Sequence, residues 1–133
     1  MQAIQLALCL HVLAGVFWAG STMALAAIPN ASRRFFAAQM AAALLVVCAG
    51  TYLWHTLHEG AWGAAERMLA AGAVSAVVAM LLQGVFIGTA IGKAARSDGQ
   101  QALLGARIRN THRVAAALLA IAATAMAAAR FAQ

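Results

Sequence analysis

Charge of negative sign is almost absent from this chain: Asp and Glu together number 3 among 133 residues, and charged residues of both signs make up 9%. An ordinary soluble domain carries roughly 25% charge, so a soluble fold is excluded on composition alone. With so few acids there are no paired carboxylates inside an apolar segment. That removes the usual acid–base pair of a hydrolase and the carboxylate relay of an autonomous pump. Cysteine is nearly as scarce: Cys9 and Cys48 form no C-x-x-C or comparable metal motif. They read as small apolar packers, because a disulfide between them would need a fortunate offset of depth. No P-loop and no nucleophile–base pair is present. The single proline, Pro29, falls where a first long helix has to stop, since proline cannot continue the hydrogen-bond ladder.

What remains is apolar. Hydrophobic residues are 65% of the chain, and Met1 to Ser32 contains no charged side chain. A membrane-spanning helix needs about 20 such residues. The first run is too long, and lacks the basic start, for a cleavable signal peptide, so it is read as a mature helix. Further apolar spans follow, and the sequence predicts an all-α membrane protein: one integral domain over 1–133. The expected fold is an up-and-down bundle of four transmembrane helices at about 3–28, 35–59, 68–92 and 107–130. Lys93–Arg109 is the one long polar segment between spans.

The basic residues give the orientation. Arg33, Arg34, Lys93, Arg96, Arg107, Arg109 and Arg113 fall on one face, and only Arg67 and Arg130 on the other. The positive-inside rule then places the first face in the cytoplasm and both termini outside. The net charge of +6 is accounted for by this clustering at a lipid surface, without nucleic acid as a partner. A bacterial inner membrane, crossed several times, is the expected location.

Chemistry-bearing residues are few. His11 is the one strongly polar side chain in the first span, roughly 12 Å deep at the helical rise per residue. An intramembrane ionisable group is by default a functional-site hypothesis. Gly15 and Trp18 follow it at helical spacing and share its face. His55 and His58 sit three apart near the end of the second span, with His55 roughly 8 Å deep. Two antiparallel helices could thus present His11 and His55 to one haem iron or copper ion, with His58 at the entrance. Trp18 and Trp54 would wall the site. A backbone carbonyl, or the hydroxyl of Thr22, Thr51 or Tyr52, would fix each ring. The bland alternative is a histidine bonded only to a neighbouring helix. Met23 and Met40 could serve Cu(I) as thioethers, though membrane methionines are commonly filler. His112, between Thr111 and Arg113, reads as an interfacial headgroup contact.

Packing signals accompany these. Gly84, Gly88 and Gly92 recur every fourth residue in the third span, a small-residue ladder that lets helices approach. In the fourth span Ala116, Ala120, Ala123 and Ala127 would face it. The ladder could equally serve another subunit or a second copy of the chain.

The His11…Trp18-Ala19-Gly20 pattern resembles the first helix of the copper-resistance D family. It is also similar to that of the bacterial four-helix protoporphyrinogen oxidase, a haem b protein. A closer likeness is to small four-helix bacterial membrane proteins with three short signatures. These are the run His11–Trp18, the Gly50–Trp54 segment ending helix two, and the closing Ala125–Phe131. The resemblance implies a four-helix fold and haem b or copper binding with His11 as ligand. The oxidase also uses a lysine inside its third helix, whereas Lys93 here only terminates that span. Three readings therefore stay open: a haem b or redox-metal protein of electron transfer with its site between helices one and two, a copper-handling membrane protein, and a non-catalytic accessory subunit without cofactor.

Overall fold

The computed structural model describes residues 1–28, 33–58, 60, 62–90 and 101–132, with only the backbone described at 33, 34 and 101–104. Four long helices account for nearly all of it, and no strand occurs among the described residues. Helix α1 spans Gln2–Ala27, α2 spans Arg33–Leu57, α3 spans Ala64–Leu82, and α4 spans Gln101–Ala129. One π-helical turn, Gln83–Ile87, continues α3, after which helical backbone runs on to Ala90. Each helix is long and apolar enough to cross a membrane, over segments of 26, 23, 27 and 25 residues.

Two helices begin earlier than composition predicts. At α3 the Gly63 N–H donates to Glu66 Oε2 at 2.7 Å, an acid in the first turn satisfying a free amide. The helix therefore starts at Ala64 rather than near Met68. Helix α4 starts at Gln101, so Gln101–Arg109 is helical and not part of a polar loop. Residues 91–100, including Lys93, Ser97 and Gly92, lie outside the described residues.

The helices alternate in direction. The start of α1, the end of α2, the start of α3 and the end of α4 meet at one end of the bundle, as the residues lining a shared cavity there establish. Packing is uneven: α3 lies extensively on α4, α1 on α2 and then on α4, while α2 and α3 touch little. The core is built of small side chains, Ala14, Ala42, Ala43, Ala76, Ala79, Ala115 and Ala122, with Val46 and Leu119 among them. Lipid offers no hydrophobic gain for helix association, so close approach and good contact must hold such a bundle together. On α4 the buried stripe is His112, Ala115, Leu119, Ala122 and Ala129. That is the three–four spacing of a helix seam. It is not the stripe of Ala116, Ala120, Ala123 and Ala127, of which Ala120, Ala123 and Ala127 are exposed.

A close backbone approach of α3 to α4 is made at Gly72. A Cβ there would stand 3.1 Å from the Ala122 carbonyl oxygen. The glycine ladder sits elsewhere: Gly84 faces Met40 and Gly88 faces the Phe36 ring, both on α2, at 3.9 and 3.6 Å from an added Cβ. These are ordinary side-chain contacts.

Outward-facing residues are large and apolar, among them Leu13, Val16, Leu44, Val74, Leu81 and Ile121. Exposed hydroxyls bond within their own helix, as Thr51 to Val47 O, Ser75 to Ala71 O and Thr124 to Ala120 O. A polar group facing lipid has to be satisfied in this way.

Candidate functional site: a histidine-lined cavity and a buried polar junction

At the end where α2 and α3 separate, a cavity of about 750 Å³ opens among all four helices. That size falls within the roughly 300–1,000 Å³ of small-molecule and cofactor sites. Its wall is mostly aliphatic. The polar side chains that line it include His11, Thr51, His58 and Arg130, with Trp54 and Met126 beside them. Arg130 is the only charged residue among the lining residues described, and no acid is among them.

His11 enters from α1 and is partly buried. Its Nδ1 lies 2.9 Å from the Val46 carbonyl oxygen of α2. An oxygen acceptor requires Nδ1 to carry the proton, which leaves the lone pair on Nε2. Gly50 makes this approach possible: a Cβ there would be 3.0 Å from His11 Cε1 and 3.3 Å from Nδ1. The Val46 carbonyl is one of the partners the sequence allows for a ligand histidine, and it is equally the contact of a histidine bonded only to a neighbouring helix. Thr51 bonds its own helix, and Thr22 lies in a different part of the bundle.

The remaining candidates divide. His58 lines the cavity and stacks on Trp54, with ring centroids 4.8 Å apart and planes 19° from parallel. Its Nδ1 is buried without a hydrogen-bond partner among the described residues. Trp62 leans on Trp54 at 6.1 Å. His55 is exposed and is not among the lining residues, so the structure does not bring it to His11. Gly15 faces the Val46 side chain, 3.9 Å from an added Cβ, where α1 and α2 are in direct contact. The open space thus lies between α2 and α3, with His11 on its α1 side, and not between α1 and α2. Cys9 and Cys48 are exposed free thiols. Met23 is exposed and Met40 lies by Gly84, not at the cavity lined by His11 and His58; the methionine lining that cavity is Met126.

Trp18 does not wall the cavity. It anchors a second polar centre in the other half of the bundle, where five side chains from four helices are almost fully buried: Trp18, Thr22, Gln39, Gln83 and His112. Trp18 Nε1 donates to Gln83 Oε1 at 2.7 Å. Gln83 Nε2 donates to Thr22 Oγ1 at 2.9 Å and faces His112 Nδ1 at 3.5 Å. Gln39 Nε2 donates to Ser21 Oγ at 3.1 Å and Thr22 Oγ1 at 3.2 Å. Thr22 donates in turn to the Trp18 carbonyl at 2.7 Å. The π turn begins at Gln83, inside this junction.

His112 is therefore not an interfacial headgroup contact. Because α4 starts at Gln101, His112 lies three turns inside the helix at about 3.6 residues per turn, on the seam facing Gln83. The two glutamines escaped the sequence reading, although each is the only side-chain amide in its span.

Among the described residues there is no group of three or more His, Cys, Asp or Glu placed to hold a metal ion. The chain matches no family model, no curated protein and no solved structure.

Proposed function

We propose that this chain is a multi-pass protein of a bacterial inner membrane that holds haem b in the cavity between α2 and α3, in an electron-transfer role. The observation that carries this reading is the tethered His11 ring at a large apolar cavity. A ligating histidine characteristically gives its other ring N–H to a carbonyl, which fixes the ring and its tautomer. His11 does so with Val46, leaving Nε2 as the free donor atom.

The residues present suit the group. His11 and His58 would hold the iron, and bound haem would supply one-electron redox chemistry. His58 has a buried ring nitrogen without a partner among the described residues, as a ligand histidine has before it meets its metal. Aliphatic walls suit the porphyrin face and exclude water. Arg130 provides a positive charge for carboxylates. The seven-to-two distribution of basic residues supports an orientation with the cavity toward the outer side and both termini outside.

A specific observation favours copper as the second reading: His11, His58 and Met126 line one cavity, a two-nitrogen, one-thioether set that suits Cu(I). An accessory-subunit role would use Gly84, which is exposed beside Met40. Absorption spectra of the purified protein, oxidised and dithionite-reduced, with elemental analysis, test all three. A b-type spectrum that is lost in His11→Ala is the expected result. Colourless protein with stoichiometric copper transfers the site to copper. Colourless, metal-free protein that takes up neither added haem nor copper overturns the cofactor reading, and a co-purifying membrane partner would then favour the accessory role.

A further inference from the structure

Helices α2 and α3 meet in only one half of the bundle. Gly84 faces Met40 and Gly88 faces the Phe36 ring, in the half that holds the polar junction. Toward the other end the two helices part, whereas α1 packs on α2 and on α4, and α4 on α3. The bundle is therefore closed on three sides and open on the α2–α3 side, over the half that contains the cavity.

The cavity wall reaches this open side. On α2 it includes buried Val46 and, next to it on the helix, half-buried Val47 and exposed Thr51. On α3 it includes buried Ala76 and, beside it, exposed Ala73 and Val77. One space thus runs from the core out between two exposed rims. Val47 lies roughly 15 Å before the end of α2 at Leu57, and Val77 roughly 20 Å after the start of α3 at Ala64, at the helical rise per residue. The hydrocarbon layer is about 30 Å thick, so at these depths the slot is flanked by lipid tails and not by water. The Thr51 hydroxyl on its rim donates to the Val47 carbonyl at 2.9 Å, and so needs nothing from an occupant.

Apart from His11 and Thr51, polarity on the wall is confined to one end. His58 follows the last residue of α2 and Arg130 the last of α4, and no acid is among the lining residues described. An occupant that extends from that end into the slot meets positive charge first and aliphatic side chains beyond it.

We propose that the α2–α3 slot is a lateral portal through which the cavity takes its ligand from the bilayer. The ligand class is a lipid-dissolved amphiphile with an apolar body and an acidic end. The inference rests on the reading of this cavity as the ligand site and extends it: haem, an apolar ring with two carboxylates, is one member of the class. The portal itself needs only the slot and Arg130, whichever member is bound.

Photolabelling in lipid nanodiscs tests this, with a palmitic acid analogue that carries a diazirine at mid-chain as the probe. The full chain is used unaltered and as His11→Ala, which lacks the proposed iron ligand. After irradiation, mass spectrometry locates the adducts. In His11→Ala, adducts are expected on Val46, Leu53 and Ala76, buried residues of the cavity wall, and none on Ala43 and Ala79, buried away from it. The methyl ester of the probe should label the wall severalfold less, and Arg130→Gln in the same background should remove that difference. Ala73→Trp and Thr51→Trp, each placing an indole on one rim, should reduce labelling severalfold; should one of them fail to fold, the other decides. Absence of wall adducts in both the unaltered chain and His11→Ala overturns the portal. So does labelling unchanged by the rim variants, which places entry at the water-facing end. Equal labelling by acid and ester overturns the acidic class. Wall adducts as abundant in the unaltered chain as in His11→Ala, and not reduced by added haem, would sink the haem reading and leave the portal standing.

Discussion

Trp18 and Gln83, 65 positions apart, are joined by a fully buried hydrogen bond of 2.7 Å that locks α1 to the π turn following α3. Interhelical hydrogen bonds in membranes average only about 0.6 kcal/mol, because helices apart in lipid find other partners. This bond stands in a buried network, however, and its loss strands a buried amide oxygen at a cost of about 1–3 kcal/mol. Trp18→Phe is expected to destabilise the bundle by that amount, as is Gln83→Leu, which strands the indole N–H instead. The double variant should cost clearly less than the sum of the two. Reversible unfolding in mixed micelles measures all three. Strict additivity would show that the two residues are not coupled.

Glycine positions are expected to rank by what a side chain would meet. At Gly72 an added Cβ meets backbone, 3.1 Å from the Ala122 carbonyl, and Met126 at 3.2 Å. Gly72→Leu should therefore force α3 from α4 and lower stability by about 1–3 kcal/mol or more. Gly88→Leu meets only the Phe36 ring, 3.6 Å from its Cβ, and should cost less. Thermal denaturation of the purified variants gives the order. Greater damage at Gly88 than at Gly72 would contradict the packing described. Loss of a co-purifying partner in Gly88→Leu, with stability kept, would assign the ladder to assembly.

The four spans were legible because each is a run nearly free of charge, bounded by Pro29, by glycine or by arginines. Which helices are neighbours was not legible. The apolar faces of α1 and α3 look alike all round, and nothing local marks the α2–α3 gap that makes the cavity. His11 could be singled out from depth and isolation, and its carbonyl partner was among the expected ones. The failures have one cause each. His112 was placed at an interface because flanking Thr111 and Arg113 suggest a helix end, whereas α4 continues to Gln101. Gln39 and Gln83 carry no charge, and so did not stand out, although in lipid an amide needs partners almost as much as an ion does.

Histidines 55 and 58 separate in a way that spacing alone conceals. Three residues on a helix fall about 60° short of a full turn, so two such side chains share a face only at its edges. His58 reaches the cavity and His55 is exposed. His58→Ala is expected to abolish or alter the spectrum of the bound cofactor, while His55→Ala leaves it unchanged. The reverse result, with His55 essential and His58 dispensable, would require α2 to be rotated relative to the structure. Optical titration of each variant with haem reads the difference directly.

Gly50 offers the sharpest test of how His11 is held. Its missing Cβ is what lets the imidazole lie against α2, since an added carbon would approach Cε1 to 3.0 Å and Nδ1 to 3.3 Å. Alanine is a better helix former than glycine by about 1 kcal/mol, so Gly50→Ala gains in propensity what it loses in local fit. Overall stability should change little. The His11 ring, however, must give by a few tenths of an ångström, and the bond to the Val46 carbonyl is then lengthened. A weakened tether fixes the tautomer less firmly. Ligand affinity at Nε2 should fall, by at most the factor of about 10–100 found when the partner of a ligating histidine is removed. Haem titration of Gly50→Ala, beside unfolding measurements on the same preparation, separates the two effects. Unchanged affinity with unchanged stability would mean that the His11–Val46 bond orients nothing, and the ligand reading of His11 would lose its support.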